Sequence, residues 1–179
     1  TEVMDNKAAP ASGDYASRPN RRRFFRQPLT LAAFARRLTS VDEAPRFRSG
    51  PQVFPLVRPK GLGSERLLRQ IDDKLDALLG SQALDIVRHD FPLHLEVVEL
   101  SASGLRCRDE GVLKIGDPVE VVLRLSSYPP QLVGLVARVL RREEELAVLD
   151  FTQIRSADED RLVRALLDEQ RRLRDLLAE

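Results

Sequence analysis

Two short stretches carry the side chains best suited to binding chemistry. Arg21-Arg22-Arg23-Phe24-Phe25-Arg26 places four guanidinium groups and two aromatic rings in six residues. A guanidinium is a planar fork of donors that fits phosphate oxygens and the O6/N7 edge of guanine. The neighbouring rings can anchor the segment or stack on a base. Seventy-two residues separate Arg26 from a second stretch, Glu99-x-Ser101-x-x-Gly104, in which Ser101-Ala102-Ser103-Gly104 reads as a tight turn after an alternating apolar segment.

Catalytic chemistry has no comparable set. His89 and His94 are five residues apart, a spacing that does not share one strand face, and no Cys/His cluster completes a metal site. Ser101 and Ser103 lack a nucleophile-elbow context. Gly61-Leu62-Gly63-Ser64 lacks the lysine and spacing of a phosphate loop, leaving at most a generic anion site at a helix start. No enzyme, metal or cofactor is expected. The single cysteine, Cys107, cannot close an intramolecular disulfide and reads as a small buried apolar residue in a reducing, cytoplasmic setting. Residues 1–17 are polar, without the apolar core of a signal peptide, and no run approaches the roughly 20 apolar residues of a membrane helix.

The net charge of +1 hides an asymmetry. Residues 18–60 carry eleven Lys/Arg against Asp42 and Glu43, whereas 61–179 carry seventeen basic and twenty-three acidic side chains. A basic N-terminal third on an acidic remainder points to an anionic partner for the former. Phe24 and Phe25 are the aromatics placed to stack on bases, and the strand segments offer no further platform, so nucleic acid is not the expected partner.

The elements that must position these residues follow from periodicity. Residues 1–20, rich in Ala, Pro, Ser, Asn and Asp, read as a disordered tail. Residues 21–31 form the arginine-rich arm and a first strand segment, Pro28 to Leu31, with a brief helix expected over Ala32 to Leu38. Pro45, Pro51, Pro55 and Pro59 break any helix over 39–62, leaving Gln52-Val53-Phe54 as a short edge strand. Ser64 to Leu79 has helical spacing with Gly80 as its stop, and Ala83 to Arg88 suits a second short helix. Leu68, Ile71, Leu75 and Leu78 line one face of the first helix, as a self-association seam would.

From Phe91 the period drops to two. Leu93–Val98, Leu105–Arg108, Val119–Leu125, Leu132–Leu140 and Leu146–Phe151 read as five short strands, with turns at 101–104, Gly111 and Gly116-Asp117-Pro118 and a charged tip at Arg141–Glu145. A small antiparallel barrel or sandwich over 91–155 is expected. Ser156 to Glu159 reads as a capping box opening a C-terminal helix over 156–179, with Leu162, Leu166, Leu173 and Leu177 in one stripe.

Arg22-x-x-x-Arg26 followed by Glu99-x-Ser101-x-x-Gly104 at a strand turn resembles the signature of the PilZ domain family, in which the second motif is Asp/Asn-x-Ser-x-x-Gly. The stretches Arg138-Val139-Leu140 and Leu149 to Ile154 are similar to the end of that domain. The resemblance covers 21–31 and 91–179. It implies a mainly β protein with added helices: a small antiparallel PilZ-like β-barrel with a helical insertion over 32–90 and a C-terminal helix. It also implies a receptor for cyclic di-GMP, with Arg22 and Arg26, flanked by Arg21 and Arg23, on the phosphates and guanine edges. Glu99 would accept from guanine N–H groups, Ser101 would contact phosphate or fix the turn, and Gly104 would admit a close backbone. The long insertion is similar to a subgroup whose interrupting helices drive oligomerisation, so a homo-oligomer through Leu68, Ile71, Leu75 and Leu78 and an unidentified downstream protein partner are expected. The alternative is a degenerate member of the family acting as an oligomeric scaffold.

Overall fold

The computed structural model describes residues 26–49, 64–127 and 130–177. Among them are six strands and two helices: β1 (Gln27–Arg37), α1 (Ser64–Asp90), β2 (Leu93–Leu100), β3 (Gly104–Arg108), β4 (Pro118–Ser127), β5 (Pro130–Glu143), β6 (Leu146–Ile154) and α2 (Ser156–Leu177). The strands close into an antiparallel barrel in the order β1-β2-β3-β6-β5-β4. Alternate residues point inward, and β-branched side chains suit that pleated surface because their stiff χ1 loses little on ordering. Val97, Val119, Val121, Val133 and Val139 fill the interior with Leu149 and Phe151, while Ala33, Ala35 and Ala137 leave room for the larger groups.

Two apolar layers fix the helices. Leu162 of α2 is fully buried against the barrel core, with Leu166 partly buried beside it, and the helix then runs into solvent through Leu173, Leu176 and Leu177. On the outer barrel surface, Phe34, Val122 and Leu132 meet Leu84 and Val87 from the C-terminal part of α1 and Phe91 just after it, with Phe47 alongside. Among the described residues no helix is long and apolar enough to cross a membrane.

The five strands expected after Phe91 are β2 to β6, and the structure revises four details elsewhere. The helix expected over Ala32 to Leu38 is strand: β1 runs unbroken to Arg37, six residues past the boundary drawn at Leu31. Ala and Arg favour helix in isolation, but here Ala33 and Ala35 enter the core, and both strand edges are taken, by β2 at Ala33↔Leu95 and by β4 at Ala33↔Leu123. Gly80 does not stop α1, and the second short helix is continuous with the first through Asp90. Its role is contact: a Cβ there would lie 2.8 Å from Pro130 Cδ, so only hydrogen lets α1 approach β5.

Next, the tip expected at Arg141–Glu145 shrinks to Glu144-Glu145, with Glu144 left-handed at φ 54°, because β5 pairs to Glu143↔Leu146. Finally, α2 is capped one residue early. Asp158 and Glu159 donate their N–H groups to the Arg155 carbonyl at 2.9 and 2.8 Å, so Arg155 occupies the cap position assigned to Ser156. The buried Asp158 carboxylate instead lies 3.3 Å from Arg155 and 3.6 Å from Arg161. The strand expected at Gln52–Phe54 and the tail at 1–20 lie outside the described residues.

Candidate functional site

The β1–β2 ladder brings the end of the arginine run to the Glu99 motif. Gln27 pairs with Leu100 and Pro28 with Glu99. Arg26, the residue before β1, therefore emerges beside the end of β2, and its Nη1 lies 3.6 Å from Glu99 Oε1. Arg26 keeps 61% of its side chain in solvent and Glu99 23%, so this pair is open rather than sealed. Arg21, Arg22 and Arg23 lie outside the described residues.

The turn after Glu99 is built by its own serine and glycine. The Ser101 N–H donates to the Gly104 carbonyl at 2.9 Å. The Ser101 hydroxyl donates to the same carbonyl at 3.1 Å and accepts from the N–H groups of Gly104 at 3.1 Å and Ser103 at 3.3 Å. One donor and both acceptor sites of that hydroxyl are thereby engaged, and Ser101 is buried. Of the two roles the resemblance allowed it, the geometry supplies the turn-fixing one. Gly104 answers to packing: a Cβ there would meet the Leu149 carbonyl oxygen at 2.5 Å, so the glycine lets β3 sit against β6. The Ser103 carbonyl accepts from Phe151 N–H at 2.9 Å, which ties the turn to β6.

Glu99 is also joined to residues that motif spacing did not reveal. It sits across the β2–β3 ladder from Arg106, just past a register shift between Val97 and Glu99. Arg106 Nη1 donates to Glu99 Oε2 at 3.3 Å, and its Nη2 donates to Glu143 at the end of β5. Glu143 Oε1 accepts from Arg141 Nε at 2.7 Å. The result is an alternating row, Arg26–Glu99–Arg106–Glu143–Arg141, across the outer barrel face. The hydrogen bond from Arg141, reinforced by the charges of Arg106 and Arg141, holds the Glu143 carboxyl below its ordinary pKa. The outward parity of Arg106, two residues after Gly104, was the sequence signal available. Its partners depend on strand shifts that composition does not encode.

Other candidates resolve into structural roles. The Cys107 thiol is buried in the core and pushed up to about 12, first by desolvation and then by the charge of Asp109, so the reactive thiolate is suppressed. Asp109 is itself closed off: Arg142 grips both its oxygens at 2.9 Å, and Leu113 and Gly111 donate backbone N–H groups to it. His94 meets Phe34 edge-on at a centroid distance of 5.2 Å, and His89 is exposed in the last turn of α1. Among the described residues no three His, Cys, Asp or Glu side chains gather to hold a metal. A cleft of about 310 Å³ lies at the other end of β2, lined by Leu93, His94, Glu110 and Val112, away from the Ser101 turn. Gly61 to Gly63 lie outside the described residues.

The four residues of the expected association seam are side by side and uncovered. Leu68, Ile71, Leu75 and Leu78 are between 45% and 62% exposed, as are Leu67 and Leu79 beside them at 60%.

A closed six-stranded antiparallel barrel, a helix inserted between its first two strands, and a C-terminal helix seated on its core together make a PilZ fold. The solved structure of a tetrameric PilZ domain from Xanthomonas campestris, self-assembled through a helical bundle, is similar over 84% of this chain and 90% of its own, with a TM-score of 0.56 and 20% identity. The PilZ domain of YcgR from Escherichia coli, solved with cyclic di-GMP, is similar over 89% of this chain and 99% of its own, at TM-score 0.48 and 12% identity. The inhibitor of motility MotI/DgrA from Bacillus subtilis is similar over 84% of this chain at TM-score 0.46 and 12% identity, and the match spans 51% of that protein. No protein-family model and no curated protein sequence matches the chain.

Proposed function

We propose that this protein is a cytoplasmic receptor for cyclic di-GMP that binds the dinucleotide on the outer barrel face, where the arm leading into β1 meets the end of β2. The observation that carries this reading is the approach of Arg26 to Glu99 at 3.6 Å, under the register Pro28↔Glu99. Arg26, the last residue of the arginine motif, thus lies beside Glu99, the first residue of the second motif, although the two are far apart in the chain. Arg22, four residues before Arg26, belongs to the same arm and supplies the second guanidinium of the pattern.

Chemically, phosphates take the arginine forks and Glu99 accepts from a guanine N–H edge. Ser101 and Gly104 hold the turn that aims Glu99. Each hydrogen bond to a charged group contributes about 1.5–3 kcal/mol, so four or five suffice for micromolar affinity after the arm is ordered. Binding would be read out as ordering of the arm and a change in its contacts with a downstream partner.

Calorimetric titration with cyclic di-GMP tests this directly. Saturable binding is expected, with affinity at least tenfold weaker in Arg26→Ala and in Arg22→Ala. Absence of binding by the folded wild type, or equal affinity in both variants, overturns the reading.

The same receptor is proposed to self-associate through α1. The uncovered Leu68, Ile71, Leu75 and Leu78 support this, as does the helical bundle that assembles the Xanthomonas protein. Light scattering is expected to give a multimer that Leu75→Asp dissociates, and a wild-type monomer at micromolar concentration would remove this part of the proposal.

A further inference from the structure

We propose that Arg106 is an additional phosphate-binding residue of this face, and that an incoming phosphate displaces Glu143, a built-in counter-anion, and frees Glu99 from Arg106 to accept from the guanine edge; this rests on the cyclic di-GMP reading above. Three arginines in the row, Arg26, Arg106 and Arg141, share two carboxylates. The row therefore keeps one positive charge in excess while every carboxylate in it is already engaged.

Arg106 is the middle of the row. It is the one arginine held by both carboxylates, and it lies two residues beyond Gly104 with 30% of its side chain exposed. Its Nε is shielded from solvent and has no hydrogen-bond partner. A guanidinium normally satisfies that group when it is shielded, so the two carboxylate contacts leave part of the Arg106 donor set unsatisfied in the free protein.

A phosphate oxygen and a carboxylate oxygen are the same kind of acceptor for a guanidinium fork. The pairs that would have to open, Arg106–Glu99 and Arg106–Glu143, are partly exposed, with 30% of the arginine side chain and 23% and 32% of the two glutamate side chains in solvent, so neither ion is sealed from water. A dianionic ligand entering here can thus exchange one set of charge-assisted bonds for another without stranding a buried ion. The arrangement also makes the departure at position 99 intelligible. A glutamate reaches both Arg26 and Arg106, so the free protein holds its own anion-binding groups in place.

The adjacent outward position of β3 provides an internal control. Arg108 pairs with Glu96 at 3.2 Å, both about half exposed, as a balanced one-to-one pair.

The experiment is calorimetric titration of cyclic di-GMP into the full chain and its variants, each checked for folding by circular dichroism. Glu143→Gln removes one counter-anion and is expected to bind about threefold to tenfold tighter, the range that one unscreened charge a few ångströms away gives at a protein surface. Arg106→Ala is expected to bind at least tenfold weaker. Arg106→Lys, which keeps the charge without the fork, should fall between. Glu96→Gln should match wild type. Wild-type binding with unchanged affinity in Glu143→Gln and Arg106→Ala overturns this inference and leaves the receptor reading intact. Failure of wild type and Glu143→Gln alike to bind overturns both.

Discussion

An arginine meets a glutamate near each end of strand β1, Arg26 just before it and Arg36 one residue short of its last, and the two ends behave oppositely. At its far end Arg36 is sealed: its Nε donates to Glu120 at 2.6 Å and its Nη1 to Glu43 at 2.8 Å, with 8% of the arginine side chain and 1% of the Glu120 side chain exposed. Glu120 uses its other oxygen to accept from the Phe47 N–H at 2.8 Å. That contact fixes the segment after β1 where the Phe47 ring packs against Gly134. At the near end Arg26 and Glu99 have the same chemistry at 3.6 Å, with the arginine mostly in solvent. A closed cluster spends all its hydrogen-bonding capacity on the fold. An open one leaves capacity for something that arrives. Burial, more than charge, separates the structural arginine from the one proposed to bind.

The comparison is broken most directly at the closed end. Arg36→Ala leaves Glu120 buried without its counter-ion and is expected to cost about 3–5 kcal/mol, measured as a shift of the urea unfolding midpoint. A loss below about 1 kcal/mol, the level of an exposed pair, would mean that the two ends do not differ. Gly104→Ala acts one step from the open cluster. A methyl group directed at the Leu149 carbonyl forces β3 and β6 apart, with an expected cost of about 1–3 kcal/mol. Because that movement carries the Ser101 turn and Glu99 with it, the same variant should also weaken cyclic di-GMP binding. A destabilised variant with unchanged affinity would separate the turn from the site.

The sequence made the frame of this contrast readable and hid its wiring. Alternation in Leu93-His94-Leu95-Glu96-Val97 exposed β2, and Ser101 to Gly104 exposed the turn, because both signals are local. Arg36 was not readable as a core ion. It sits in Ala32-Ala33-Phe34-Ala35-Arg36-Arg37, whose residues favour helix when alone, and only pairing with β2 and β4 makes them strand. Arg106, Glu143 and Arg141 escaped for a related reason. Their meeting depends on register shifts between Val97 and Glu99 and between Val139 and Arg141. A one-residue slip in either would turn these side chains to the other face. Gly80 reads as a helix stop because a glycine that permits a helix contact looks, in sequence, like one that ends a helix.

Acid sharpens the contrast further. The Glu43 carboxyl is held down at about 2, from an ordinary 4.5, chiefly by its hydrogen bond from Arg36 and then by those from the Thr39 N–H and hydroxyl. A carboxylate whose folded pKa is depressed gives stability that is present above its unfolded pKa and is lost as pH falls through the folded one. The contribution of Glu43 should therefore be complete above pH 4.5 and decline towards pH 2. Urea unfolding followed across that window should show wild type more stable than Glu43→Gln near neutrality and the gap closing in acid. A gap that stays constant to pH 2 would show that the charge of Glu43 is not what the Arg36 cluster uses.

The smallest expected effect is the most discriminating. Arg26→Ala removes an exposed ion pair and should change stability by less than about 1 kcal/mol, with a urea midpoint close to wild type. No buried partner is stranded, because Glu99 remains hydrogen-bonded to Arg106 and partly solvated. If Arg26 instead proves as costly to remove as Arg36, its conformation must be maintained by contacts of the fold itself. The near end of β1 would then be a second structural clamp, and the ligand would have to be sought elsewhere on the barrel. A near-silent unfolding curve paired with a large loss of cyclic di-GMP affinity is the combination that only an open arginine can produce.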